Sequence, residues 1–168
     1  MIPAADGFLT VNFSSSVQKR TVPDSWSTWS SPPASESSTP QVLFSTATSL
    51  ELSFSQAVSA FGFELEPSNF GVYPVSAQFF SGAALVGSIS LSVDGNAGAL
   101  LFAASDVGSP FTKIDTAGPS TGGLSIAQLR YASQKPSTPV PGPLPIFGAL
   151  SVFSLSRHLR SRLKAYQA

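Results

Sequence analysis

The chain has 168 residues, no cysteine and one histidine, His158, so disulfides, thiolate metal sites, cysteine nucleophiles and a histidine-dependent triad in its body are excluded. Its nine basic and nine acidic groups cancel, but unevenly: residues 1–139 hold five basic and all nine acidic groups, whereas residues 140–168 hold four basic groups and no acid. A mildly acidic body followed by a basic tail lacks the clustered basic face that nucleic acid requires, and it points to two segments with different work.

Residues 1–6 carry neither a basic n-region nor an apolar run, so no secretory leader is visible there. Phe8–Phe13 predicts a first strand. From Pro23 to Pro40 the chain is Ser, Thr and Pro with Trp26 and Trp29 embedded, and Pro32-Pro33 and Pro40 forbid a helix interior or a central strand. A long surface loop is predicted. Its two tryptophans either form a sugar-stacking platform or, on the simpler reading, pin the loop to the core.

Strand signals recur from Gln41 to Ala132. Leu50, Leu52 and Phe54 alternate with Glu51, Ser53 and Ser55; Phe61, Phe63 and Leu65 then alternate with Gly62 and Glu64. Ile89, Leu91 and Val93 alternate with Ser88, Ser90 and Ser92. Asp94-Gly95-Asn96 follows, and its Asp-Gly predicts a hairpin turn returning as a strand over 99–103. Phe111–Ile114 and Leu124–Tyr131 complete the set. Seven to nine short strands with frequent turn signals and no amphipathic helix predict an all-β antiparallel sandwich, jelly-roll-like, with a Ser-rich outer face on each sheet.

After Tyr131 the composition changes. Residues 133–143 hold four prolines and read as an extended linker between a body at 1–132 and a tail at 144–164. Leu144 to Ser156 is thirteen residues without a charge, containing Leu144, Ile146, Phe147, Leu150, Val152, Phe153 and Leu155. As a helix it rises about 19 Å, short of the ~30 Å hydrocarbon core. It can span if Arg157 and Arg160 snorkel, with Arg162 and Lys164 behind them as a cytoplasmic stop. The alternative is an amphipathic helix packed on the body.

Val140-Pro141-Gly142-Pro143, the apolar stretch and the basic end, in that order at the C-terminus, resemble the PEP-CTERM sorting signal of bacterial exported proteins in its Pro-Gly-Pro form. The resemblance covers about the last thirty residues, with Gly142 standing where the family usually has Glu. It implies recognition at Val140, Pro141, Gly142 and Pro143 by an exosortase, a membrane protease-transpeptidase, and a membrane segment over 146–155. Ala60–Glu64, Pro110–Ile114 and Ile126–Tyr131 are similar to strand motifs of the ectodomains that precede such tails. Ala127 stands where many of those carry Asp, so no cation site is expected there.

No metal, cofactor or catalytic group is expected from the residues. One Asp and one Asn at 94–96 are too few oxygens for Ca²⁺, which takes six to eight. Glu64 and Glu66 share a strand face, as paired-carboxylate glycoside chemistry would use, but Pro67 reads as a strand end. Lys19-Arg20 reads as a solvated pair. The leading expectation is a non-enzymatic exported protein of the cell surface or matrix, membrane-held and exosortase-processed. The alternative is a carbohydrate-binding module in which Trp26, Trp29 or Tyr73 stacks on polysaccharide, and a sandwich glycosidase stands third.

Overall fold

The computed structural model describes residues 2–3, 9–106, 111–118 and 121–133. The linker beyond Ser133 and the expected tail helix with its sorting motif lie outside them. The described residues form ten strands and no helix: β1 (Ile2–Pro3), β2 (Thr10–Phe13), β3 (Gln18–Thr21), β4 (Gln41–Ser45), β5 (Ser49–Pro67), β6 (Val72–Ser81), β7 (Ala84–Asp94), β8 (Leu100–Ser105), β9 (Phe111–Ala117) and β10 (Leu124–Ser133). Every ladder is antiparallel. The all-β antiparallel sandwich read from the periodicity is the fold observed.

Strand β5 serves both layers. Its first half pairs with β2 and β9, and β9 continues to β6 and β7; its second half lies between β10 and β8, and β10 continues to β4 and β3. The sequence reading divides this strand in two, at 50–55 and 59–65. No glycine or proline occurs between Phe54 and Phe61, so nothing turns the chain. Instead the apolar phase moves from even positions (Leu50, Leu52, Val58) to odd ones (Phe61, Phe63, Leu65), and the ladder with β10 is irregular between Val58 and Ala60. A bulge of this kind bends the strand and re-aims its side chains.

One core lies between the layers. Leu50, Leu52, Phe79 and Ile114 from one half meet Phe63, Phe102 and Ile126 from the other, all 1% exposed or less. Phe63 and Phe102 stack at 5.8 Å, and Phe79 meets Phe111 at 5.2 Å. Each buried Phe or Leu contributes roughly 1.5–3 kcal/mol of transfer free energy, which is how a chain so poor in charge is held together.

Two expectations need correction. The Asp94-Gly95-Asn96 turn exists, but it does not join a hairpin: β7 pairs with β6, β8 pairs with β5, and only a single bridge, Asp94 to Gly98, spans the turn. The positive φ falls on Ala97 (58°), whereas Gly95 is required because an added Cβ would meet the Asn69 carbonyl oxygen at 1.9 Å. The long hairpin is β6–β7, turning at Gly82 with φ 60°. The Ser-rich outer face is the second point. Ser88, Ser90 and Ser92 of β7 are exposed as read, beside Gln78, Ser76 and Pro74 of β6. On the other layer Phe61 to Pro67 are buried on both sides, so that outer face is covered.

Candidate functional site

The cover is the segment 22–40, between β3 and β4. Val22, Trp26 and Trp29 pack on Val42 and Phe44 of β4, Ala99, and Ala127 of β10, forming a second apolar cluster. The registers Ser125–Phe44, Ser125–Glu66 and Ala127–Glu64 put Glu64 and Glu66 on this same face. Two carboxylates under an apolar lid are costly unless their oxygens are filled by donors. The tryptophans supply them: Trp26 Nε1 donates to Glu66 Oε2 at 2.7 Å, and Trp29 Nε1 donates to Glu64 Oε2 at 3.0 Å. The remaining oxygens accept from Thr28 Oγ1 (3.2 Å) on Glu66, and from the Glu36 amide (2.7 Å) and Arg130 Nη2 (2.8 Å) on Glu64. Arg130 also meets Glu36 at 3.0 Å.

Arg130 reaches Glu64 because of a second bulge. Ala127 pairs with Glu64 but Arg130 pairs with Gly62, and Gln128 between them has φ 51°. Without the inserted residue, strict alternation would turn Arg130 into the core. The bulge instead puts it on the lid side, where its charge is paired.

Burial raises the pKa of Glu66 above the usual carboxyl value, and the hydrogen bonds from Trp26, Thr28, Gly98 and Ala97 only partly oppose this. A carboxyl whose folded-state pKa is raised contributes stability that is fully present below its unfolded value, about 4.3, and lost as pH rises through the folded value. The stability of the wild-type chain relative to Glu66→Gln should therefore decline as pH rises from about 4 through neutrality. Urea midpoints of both chains measured across that range test this, and a difference independent of pH contradicts it.

These contacts decide the fate of the candidate residues. Trp26 and Trp29 are 8% and 4% exposed, so neither offers an open ring face, and the stacking role read for them is corrected: both pin the loop. Tyr73 is half-buried, its hydroxyl donating to the Phe70 carbonyl at 3.1 Å. Glu64 and Glu66 are 1% and 0% exposed, closed to the water and substrate that carboxylate catalysis needs, and β5 ends at Pro67 as read. Among the described residues no group of His, Cys, Asp or Glu is arranged to hold a metal ion, and no helix is long and apolar enough to cross a membrane.

Beside the lid lies a hollow of about 190 Å³ lined by Arg20, Ser25, Trp26, Ser27, Thr28, Ser68, Phe70 and Gly95. Phe70, which the periodicity passes over, is 65% exposed at its rim. Its turn is tied by backbone bonds from Ser68 to Gly123 (3.0 Å), from Asn69 to Thr121 (2.9 Å) and from Gly95 to Gly71 (2.9 Å). The ring is thus presented from a fixed platform. The signal for it was an aromatic inside the turn sequence Pro67-Ser68-Asn69-Phe70-Gly71, where no core awaits it. A larger hollow of about 450 Å³ over β8, β5 and β10 is walled by Ala60, Gly62, Leu101, Ala103, Tyr131 and Ala132 among others. Its cation, Arg130, is already bound by two carboxylates, so it offers hydroxyl-bearing ligands little.

No family model matches the sequence, and no curated protein matches it. Among solved structures the chain is similar to the enzymatically active domain of Bacteriophage CBA120 tailspike protein 4, at 18% identity and a TM-score of 0.37, over 74% of this chain and 19% of that one. It therefore spans about a fifth of the tailspike domain's length. It is also similar to TmCBM61 in complex with β-1,4-galactotriose, at 13% identity and a TM-score of 0.43, over 74% of this chain and 88% of that one. A third likeness is to the family 32 carbohydrate-binding module of C. perfringens NanJ in complex with galactose, at 16% identity and a TM-score of 0.38, covering 73% and 92%.

Proposed function

We propose that the chain is a non-enzymatic carbohydrate-binding protein that takes a sugar unit in the hollow at Phe70. The observation that carries this is an aromatic ring left open to water at the rim of a cavity walled by hydroxyls. A pyranose has an apolar C–H face and a polar edge, so it matches a ring that covers one side and serine or threonine groups that meet the other. A lone exposed phenylalanine would otherwise expose apolar surface without return, and its turn is held too firmly to bury it. The volume, below the ~300–1,000 Å³ of drug-sized sites, suits one ring at a chain end or branch.

A glycan array followed by titration of the binders tests this. Phe70→Ala should weaken binding at least tenfold without moving the unfolding midpoint, because the side chain is 65% exposed and packs on little. Equal affinity of the two chains for every binder would reject the hollow as the site.

A second reading concerns where this binding happens. The order of the Pro-Gly-Pro motif, the uncharged stretch and the basic end supports a PEP-CTERM-like sorting segment, a membrane hold and exosortase processing on the way to the cell surface or matrix. The full chain should then fractionate with membranes, and a chain ending at Ser133 should not. Equal partitioning would sink that reading.

A further inference from the structure

We infer that the hollow selects an acidic sugar, one bearing a carboxylate or sulfate that Arg20 receives. The inference rests on the sugar-binding reading and narrows its ligand class. Arg20 lies 3.9 Å over the Phe44 ring and 5.9 Å from the Trp26 ring, with Nη2 donating to Gln18 Oε1 at 3.2 Å. Stacking of that kind holds the guanidinium plane in place while leaving most of its five N–H donors unused. Among the described residues no carboxylate lies within ion-pair distance of Arg20; the four ion pairs belong to Lys113 and Arg130. A half-buried, pre-oriented arginine facing a hollow, with no acid of its own, matches the planar oxygens of a carboxylate or the oxygens of a sulfate ester.

The neighbouring groups allow an anion to enter. Glu66 accepts from Trp26 and Thr28, which line the cavity while Glu66 does not. Asp24, next to the lining residue Ser25 in the chain, is likewise not within ion-pair distance of Arg20. Asp94 precedes Gly95 at the edge, and its Oδ1 accepts from the Asn96 amide at 3.0 Å. Ser27 and Ser68 add hydroxyls to the lining, able to donate to the same anion. Ser25 is already engaged with the Thr21 backbone.

The test is calorimetric titration with matched probes: an oligogalacturonide, its methyl ester, a sulfated galactan oligosaccharide, the desulfated form and inorganic sulfate. The full chain is compared with Arg20→Gln, Arg20→Lys and Phe70→Ala, each checked for an unchanged unfolding midpoint. The expected result is at least tenfold preference for one charged oligosaccharide over its neutral counterpart, which of the two pairs shows it naming carboxylate or sulfate. That preference should vanish in Arg20→Gln, persist weakened in Arg20→Lys and fall with added salt. Charged and neutral forms bound equally, both losing affinity in Phe70→Ala, would overturn the acidic preference and leave the sugar site standing. Oligosaccharide binding untouched by Phe70→Ala would overturn the sugar site itself. Inorganic sulfate bound as tightly as the sugars would reduce the site to a general anion hollow and overturn the inference. If Arg20→Gln shifts the midpoint, Arg20→Lys and the salt dependence decide the same question.

Discussion

Glu64→Leu is expected to lower the free energy of unfolding by about 3–5 kcal/mol, the usual cost of deleting one partner from a buried charged network. Leucine fills similar space, so the loss is electrostatic and not a cavity effect. Three donors lose their acceptor at once: the Trp29 indole, the Glu36 amide and one contact of Arg130. Arg130 keeps Glu36, but on the solvent side, where an ion pair is worth about 0–1 kcal/mol. The same reasoning gives Lys113→Ala almost no effect, although Lys113 also makes two ion pairs, to Glu51 and Asp115, because all three groups are near the surface. Urea unfolding followed by circular dichroism compares the two variants. Adding Trp29→Phe to Glu64→Leu should restore about 1–2 kcal/mol, since an orphaned indole N–H disappears. A loss below about 1 kcal/mol for Glu64→Leu would mean that the 22–40 lid is not anchored at this carboxylate.

How much of this was legible in the sequence differs by layer. Alternation alone located the core of β5 and β7, because Leu50, Phe63 and Val93 each sit in a period-two run with one apolar face. Strand β3 was illegible: Gln18-Lys19-Arg20-Thr21 has no apolar alternation, and it becomes a strand only because β4 offers a ladder to it. That gap hid Arg20, which reads as one of a solvated pair until Phe44, paired with Gln18 two residues along the ladder, lies beneath it. Glu64 and Glu66 were visible as carboxylates on one face, and Trp26 and Trp29 as anchors of a loop. That each anchor binds one of those carboxylates joins residues 35 and 40 positions apart, a pairing no local pattern encodes. Bulges are the other limit. Gln128 and the irregularity near Ser59 each move side chains to the opposite face, and an ordinary side chain at such a point looks like any other strand residue.

Gly95→Ala is expected to cost about 3 kcal/mol or more and to remove ligand binding as well. A methyl at this position would lie 1.9 Å from the Asn69 carbonyl oxygen, 2.9 Å from its carbon and 3.1 Å from the Pro67 carbonyl oxygen. All three are backbone atoms, so no rotamer change relieves the clash. The turn from Pro67 to Gly71 must shift by more than an ångström, and overpacking of a site that cannot repack costs upwards of 1–3 kcal/mol. That turn carries Phe70 and is tied to Gly71 through the Gly95 amide itself. The shift therefore moves the ring at the rim of the hollow and breaks the bond that fixes its turn, so affinity falls with stability. Gly87→Ala is the control, since nothing lies within 4 Å of its added methyl; it should match the wild type or exceed it slightly. Urea midpoints and titration with a bound glycan report both consequences. A Gly95→Ala chain with wild-type stability and affinity would show that this turn does not position Phe70. Loss of affinity with little loss of stability would show that the site depends on the turn more than the fold does, because the displaced segment is an end connection and the core between the two layers stays intact.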